Sequence, residues 1–207
     1  MNLSISETSS KKLFILYSVT ILFIFSQSLK ELFILSFQRE VYSHIALIPL
    51  ISGYFIYSNR KIVFSSSSHS INNGILVTLL GIVMYLVAKN FGDYLNRNDY
   101  LSIMTFAAIL SWVGGYSFFY GMDPLRSAKF PFLFLAFMIP IPTWLIDRVI
   151  LFLQEWSAEA TNGLFLLAGI PFLREGETFH LSELSIQVAE QCSGIRSSIA
   201  LFITSIL

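Results

Sequence analysis

The residue best suited to covalent chemistry is Cys192, the only cysteine among the 207 residues. It lies in the stretch VAEQCSG, where a polar segment gives way to an apolar one. The dipole at a helix N-terminus favours the thiolate, which is the nucleophilic form of cysteine. A carboxylate at Glu190 opposes that effect unless a cation is close, and Arg196 at i+4 could supply one. A single thiol in an apolar protein is usually a small packed core residue, and the local pattern alone favours that interpretation.

A cysteine nucleophile also needs a base and a group that stabilises the oxyanion. His180 lies in the same polar segment as Cys192, where it could act as the base or be an exposed loop histidine. His44, in VYSHIALIP, fits a polar cap at the end of an apolar segment. The three histidines are scattered and no HExxH or CxxC spacing occurs, so the sequence predicts no metal site and no cofactor.

The composition indicates a protein whose solvent is lipid. Hydrophobic residues make up 55% and charged residues 13% of the chain, whereas about 25% charged residues is ordinary for a soluble domain. The formal net charge is zero, so neither nucleic acid nor a polybasic mode of membrane binding is expected. Membrane lipid is therefore the predicted surrounding, and nucleic acid is not a predicted partner.

Apolar segments predict an all-α polytopic membrane protein, a helical bundle of about six spans in a single membrane-embedded domain over 1–207. The first five segments approach or reach the roughly 20 residues that a helix needs to cross a bilayer. Lys11 and Lys12 precede the first, as in a signal-anchor with a cytoplasmic N-terminus. The last is too short to span, so we expect a span that is truncated at Leu207. The predicted spans are 13–29, 41–57, 74–91, 100–120, 130–146 and 194–207.

The segment 147–193 is predicted to be extracytoplasmic. Residues 143–193 contain seven acidic and only two basic side chains, and a region poor in Lys and Arg belongs on the outer face. Its first part spaces polar among apolar residues, as in an interfacial helix, with Trp144 and Trp156 at the boundary. Alternation around Ile186 predicts a short β-strand or hairpin.

Four blocks of the sequence, in order, resemble the exosortase family, to which the archaeosortases are closely related. VAEQCSGIRSSIALF at 188–202 is similar to the family's VAEACSGLRS block, and KFPFLFLAFMIPIP at 129–142 to its FPLLFLLFMIPLP element. YSHIALIPLISGYFIY at 42–57 and GIVMYL at 81–86 resemble two further elements. Gln191, where alanine is common, and Ile45-Ala46, in place of a pair with glycine, depart from the family pattern.

The resemblance implies a cysteine peptidase-transpeptidase of the inner membrane. Its partners would be exported proteins that carry a tripartite C-terminal sorting signal, namely a PEP-type motif, a transmembrane helix and a basic tail. Cys192 would be the nucleophile and would form a thioester with the cleaved protein, which an acceptor then receives. The family's Arg and His partners are expected beyond Leu207, so residues 1–207 alone are predicted to be inactive. Arg196 is not assigned to the catalytic arginine.

A different class of function stays open on the residues alone. In that alternative the chain is a non-catalytic multi-pass scaffold, or a partner associated with export or polysaccharide, and Cys192 is a structural thiol. A transporter is disfavoured because charged or helix-breaking pairs do not recur at matching midplane positions of the sequence.

Overall fold

The computed structural model of the chain describes residues 7–65, 71–189 and 194–207. These residues form two compact units, Met1–Ile141 and Pro142–Leu207. The first unit is helical, and the second combines helices with a small β-sheet.

The first unit is a succession of helices of very different length. Three of its helical segments are long and apolar enough to cross a membrane: Val41–Ser58, Asn72–Tyr94 and Arg97–Tyr120. The helices are α1 (Glu7–Ile24), α2 (Ser26–Gln38), α3 (Ile48–Ser58), α4 (Arg60–Val63), α5 (Ile71–Phe91), α6 (Arg97–Tyr120), α7 (Met122–Ser127) and α8 (Lys129–Phe134), with 3-10 turns at Glu40–Ala46, Gly92–Tyr94 and Leu135–Met138.

Two further pairs of helices, each bent at a short break, are together also long and apolar enough to cross a membrane. They are Ser10–Ile24 with Ser26–Gln38, and Lys129–Met138 with Thr143–Leu167. The described residues therefore hold three candidate spans, or up to five if each pair is one span. A shorter apolar helix covers Ser197–Ile206. The predicted fold class, an all-α polytopic membrane protein with a small β element, is confirmed.

Helices α5 and α6 approach each other closely because glycines line their contact. A Cβ atom on Gly81 would lie 2.3 Å from Ser111 Oγ and 2.8 Å from Ser111 N. A Cβ on Gly114 would lie 2.5 Å from the backbone nitrogen of Thr78. Small residues of this kind let helix backbones pack in lipid, where apolar burial alone gives little drive for association.

The segment predicted as the first span, 13–29, is not one straight helix. The chain bends by 67° between α1 and α2, at Phe25. Neither proline nor glycine lies at this point, so the sequence gives no sign of the bend. The Phe25 ring is buried and packs edge-on against Tyr85 at a centroid distance of 5.0 Å, so packing between helices accompanies the break.

The segment predicted as the fifth span, 130–146, is also interrupted. Helical structure ends at Met138, and a new helix begins at Thr143. Pro140 and Pro142 lie between these points, and proline lacks the N–H that a continuous helix requires. The carbonyl groups freed by the break are satisfied within the first unit: Ser102 Oγ donates to Pro140 O at 2.7 Å, and Asn98 Nδ2 donates to Ile141 O at 2.8 Å.

The second unit contains the helices α9 (Thr143–Leu167) and α10 (Ile195–Ile206) and a three-stranded antiparallel sheet. The strands are β1 (Leu173–Glu175), β2 (Thr178–His180) and β3 (Ser185–Gln187), in the order β1-β2-β3. Gly176, at φ +61°, makes the turn between β1 and β2, a backbone conformation that favours glycine. The predicted hairpin is thus present, and it has one strand more than the alternating pattern indicated.

Candidate active site

The predicted nucleophile, Cys192, lies outside the described residues, as does Glu190. Arg196 lies in the first turn of α10, and its side chain is not described. The structure therefore describes the two flanks of the cysteine segment. On one side the chain leaves β3 at Val188, and on the other α10 follows Gly194, which has φ +65°.

Helix α9 buries a polar side chain and leaves large apolar side chains exposed. The two residues that it buries are Gln154 and Ala158, one helical turn apart, while Trp144, Trp156 and Phe152 are exposed. The exposed tryptophans fit a helix with its apolar face in lipid or at the boundary. The buried amide needs a hydrogen-bond partner, because burying an unpaired amide is costly.

The inner face of the sheet packs on the buried face of α9 through an aromatic cluster. Phe179, at the centre of β2, is 0% exposed, and its ring lies 5.5 Å from Phe165 of α9 and 5.6 Å from Phe172. Ala158 and Val188 complete the buried part of this cluster. The small side chain of Ala158 leaves room for the Phe179 ring, so the helix and sheet form one core.

Gln154 connects α9 to the chain just after β3. Its Nε2 atom donates to the Val188 carbonyl at 2.6 Å, and Gln154 is only 6% exposed. The Val188 amide donates to the Glu177 carbonyl at 3.0 Å, which extends the pairing of β2 and β3 by one residue. Both backbone polar groups of Val188 are therefore paired, four positions before Cys192 in the sequence.

An ion pair forms a second polar link between α9 and the sheet. Arg174 of β1 contacts Glu159 of α9, with Nη1 and Oε1 2.8 Å apart. The Arg174 guanidinium also donates through Nε to the Gly176 carbonyl and lies 5.6 Å from the centroid of the Phe179 ring. Both side chains are partly exposed, at 26% and 55%, so solvent screens the pair.

His180 lies on the outer face of the sheet, opposite the aromatic cluster. Its Nδ1 atom is 2.7 Å from Ser185 Oγ on β3, and its Nε2 atom is 3.6 Å from Glu175 Oε2 on β1. The imidazole is thus engaged by both neighbouring strands, with 40% of its side chain exposed. These contacts link His180 of β2 to both neighbouring strands.

His44 belongs to the first unit, where it lies half-buried in the 3-10 turn Glu40–Ala46. In the same turn, the Tyr42 hydroxyl donates to the Ile141 carbonyl at 3.4 Å. Two of the four blocks that carried the family resemblance, 42–57 and 129–142, therefore meet at the proline break. Two blocks that are distant in the sequence, both similar to elements of the family, are thus joined by a hydrogen bond.

The first unit also contains an apolar cavity of about 790 Å³. Among the described residues that line it, none has a titratable side chain, and Ser18 and Ser52 bear hydroxyls. The lining is therefore suited to apolar groups. Within the described residues, no group of three or more His, Cys, Asp or Glu side chains could hold a metal ion.

The sequence indicated the position of the cysteine but not the residue that fixes its flank. Gln154 was one of several polar residues on the predicted interfacial helix, with nothing to separate it from Glu155. The available signal was the spacing of Gln154 and Ala158, which places an amide and a small side chain on one helical face. The spacing identifies the buried face of α9 only once the sheet is known to pack against it.

Several apolar helices that could span a membrane, together with a small antiparallel sheet, define a polytopic membrane protein. The family model for the transmembrane exosortases matches residues 36–207. The chain belongs to the transmembrane exosortase family, as the resemblance implied. Comparison with curated proteins and with solved structures gave no match.

Proposed function

We propose that the protein is a cysteine peptidase-transpeptidase that cleaves PEP-type C-terminal sorting signals of exported proteins, with Cys192 as the nucleophile. The observation that carries the proposal is the family match, which runs over residues 36–207 and includes the cysteine block. The arrangement of the flanks supports it, because the segment that holds Cys192 connects an anchored strand to the start of α10.

The reaction has two steps that exchange one acyl group. The Cys192 thiolate attacks the carbonyl carbon of the scissile peptide bond, and the C–N bond then breaks. The amine of the released tail takes up a proton, and the exported protein remains on sulfur as a thioester. An acceptor nucleophile then attacks the thioester carbonyl, forms the new acyl bond and releases the thiolate, after giving up its own proton.

The helix that follows Gly194 supports this chemistry electrostatically. A helix N-terminus carries about half a positive charge and favours an anion such as a thiolate nearby. A substrate with its own membrane helix reaches the site by diffusion in two dimensions, so tethering raises its effective concentration. The proposal assigns no residue between 1 and 207 as the base or the oxyanion stabiliser.

The proposed site requires a defined orientation in the membrane. We place the N-terminus in the cytoplasm and Cys192 near the outer face of the inner membrane, on the grounds of the Lys/Arg-poor segment 143–193. The exposed Trp144 and Trp156 suit a helix at the boundary. A membrane-impermeant maleimide is expected to label Cys192 when added outside, and labelling only after permeabilisation would contradict this orientation.

The decisive experiment replaces the nucleophile in the full-length protein. Cys192→Ala is expected to abolish processing of a co-expressed exported protein that carries a Pro-Glu-Pro motif, a transmembrane helix and a basic tail. Cys192→Ser is expected to lose at least about a hundredfold in rate, because a serine hydroxyl is far less ionised than a thiol. Uncleaved precursor is measured by immunoblot.

Ser205→Ala is the matched control, since its hydroxyl bonds to the Phe202 carbonyl of the same helix and it should process normally. A thioester between Cys192 and the reporter, released by hydroxylamine, would be direct support. Unchanged processing by Cys192→Ala would refute the proposal and favour a non-catalytic scaffold.

A further inference from the structure

The contacts between helices define two ends of the first unit. At one end the start of α1 packs on the end of α6, where the rings of Phe14 and Tyr120 have centroids 5.4 Å apart. At the other end α2 lies beside the start of α6, where Arg97 Nε is 3.8 Å from Glu31 Oε2. Helices α1 and α2 therefore follow α6 in the opposite direction, and charged residues can be assigned to one end or the other.

Three separate segments bring basic side chains to the end around Tyr120. They are the start of α1, helix α4 and the stretch from α7 into α8. Their apolar residues share one core, in which Phe14, Val63 and Ala128 are buried with Tyr120. The basic residues next to these core positions are all exposed. We call this surface the basic end, and it consists of Lys11, Lys12, Arg60, Lys61, Arg126 and Lys129.

Few acidic residues offset the charge of the basic end. Glu7 and Asp123 are the acidic residues of the same three segments, so six bases and two acids leave four formal positive charges. The other end of the unit is formally neutral, because its four bases are matched by four acids. These are Lys30, Arg39, Lys89 and Arg97, and Glu31, Glu40, Asp93 and Asp99. The zero net charge of the whole chain conceals this difference between the two ends.

Most of the basic end has no acidic partner within the described part of the chain. No ion pair among those residues involves Arg60, Lys61, Arg126 or Lys129. Exposed like charges repel one another, and an anion bound among them offsets that repulsion. The basic end therefore attracts an anion from outside the chain.

The basic end lies where a membrane protein meets lipid headgroups. Its bases directly follow the last residues of two candidate spans, Val41–Ser58 and Arg97–Tyr120. The Arg60 guanidinium lies 4.6 Å from the ring centroid of Tyr57, and Tyr57 is 65% exposed. Exposed tyrosines at the end of a span are typical of the boundary between lipid and water. The anion available at that level is the phosphate of a lipid headgroup.

We propose that the basic end binds the phosphate groups of anionic phospholipids. Lys and Arg donate charge-assisted hydrogen bonds to phosphate oxygens. Each basic residue near a negatively charged membrane surface raises the affinity about fivefold. With the N-terminus in the cytoplasm, these lipids belong to the cytoplasmic leaflet. The proposal does not rest on the peptidase activity, because the basic end contains no residue of the cysteine segment.

The test measures the lipid preference of the purified full-length protein in a non-ionic detergent. Native mass spectrometry gives the dissociation constants for phosphatidylglycerol, which is anionic, and for phosphatidylcholine, which has no net charge. Wild type is expected to bind phosphatidylglycerol at least about tenfold more tightly at low ionic strength. This preference should fall as the ionic strength rises, since salt screens exposed charges. Equal affinities, or a preference that salt does not change, would overturn the proposal.

A triple variant removes half of the basic charges. The combination of Lys61→Gln, Arg126→Gln and Lys129→Gln is expected to lower the preference for phosphatidylglycerol at least about fivefold. The charge-conserving combination of Lys61→Arg, Arg126→Lys and Lys129→Arg is expected to keep the preference of wild type. An equal loss in both variants would contradict the proposal, because the second variant retains every positive charge.

The matched control removes three charges from the other end of the same unit. Lys30, Arg39 and Lys89 are exposed, and their combined replacement by Gln changes the net charge by the same amount. This variant is expected to keep the wild-type preference within about twofold. A loss as large as that of the basic-end variant would show that net charge, and not the basic end, attracts the lipid.

A competition experiment distinguishes a lipid from a soluble anion. Glycerol phosphate presents a phosphate group without acyl chains. It is expected to leave bound phosphatidylglycerol in place at equal concentration, because the lipid is held at the ends of the spans by its chains as well. Displacement by equimolar glycerol phosphate would assign the surface to a soluble anion and overturn the proposal.

Discussion

The α5–α6 pair and the junction of α9 with the sheet are held together by different physical means. Gly81 and Gly114 allow the backbones of α5 and α6 to come into contact. The junction in the second unit instead combines an aromatic cluster around Phe179 with two polar links, from Gln154 and Arg174. The close α5–α6 contact requires glycine at two positions, whereas the junction of α9 with the sheet requires particular large or polar side chains.

The difference follows from what surrounds each region. Lipid is as apolar as a helix surface, so burial gives little drive for association there and close packing must supply it. An aromatic cluster gains free energy from burial only where the alternative is contact with water. A junction that combines buried aromatic rings with polar links is compatible with a position at the membrane boundary.

The strongest way to break the second junction is to remove its central ring. Phe179→Ala is expected to cost about 3–5 kcal/mol locally, because it empties a fully buried site. Hydrogen exchange should accelerate at the amides of 173–188, and the amides of α5 and α6 serve as the internal reference.

Phe152→Ala is the control for this experiment, since Phe152 lies on the same α9 helix and is 57% exposed. Its exchange pattern should match that of wild type. If Phe179→Ala leaves exchange in 173–188 unchanged, the aromatic cluster is not what holds the sheet.

Adding a methyl group tests the first region. Gly81→Ala would place a Cβ 2.3 Å from Ser111 Oγ and 2.9 Å from the Ala107 carbonyl oxygen, so α5 and α6 must separate. We expect a loss of about 1–3 kcal/mol, which lowers the thermal midpoint of the protein in detergent. Gly53→Ala has nothing within 4 Å of the new Cβ and should leave that midpoint in place. Equal effects of both substitutions would show that close packing does not distinguish this pair.

The smallest effect is expected at the ion pair. Arg174→Gln should cost about 0.2–1 kcal/mol, because both partners are partly exposed and solvent screens them. A double-mutant cycle with Glu159→Gln measures the coupling, which should shrink in high salt. A coupling that exceeds the loss caused by Phe179→Ala would show that the ion pair, and not the aromatic cluster, dominates the junction.

Sequence patterns predicted the long helices well and their interruptions unevenly. Helix α5 covers Ile71–Phe91 and α6 covers Arg97–Tyr120, close to the predicted segments 74–91 and 100–120, because continuous apolar character is a local property. The break at Pro140 and Pro142 was readable, since proline removes a backbone donor, although the predicted span ran through it. The bend at Phe25 has no such local signal.

For the candidate site, the sequence determined the residue types and their order: one cysteine, its block, and the alternation that forms a β-strand. These features are local, and the family match over 36–207 agrees with them. Only the tertiary structure decided that His180 faces outward beside Ser185 and that Gln154 faces inward onto Val188. Both side chains are polar, and their roles depend on what packs across from them. Periodicity along one chain segment cannot contain that information, because the partner lies on another segment.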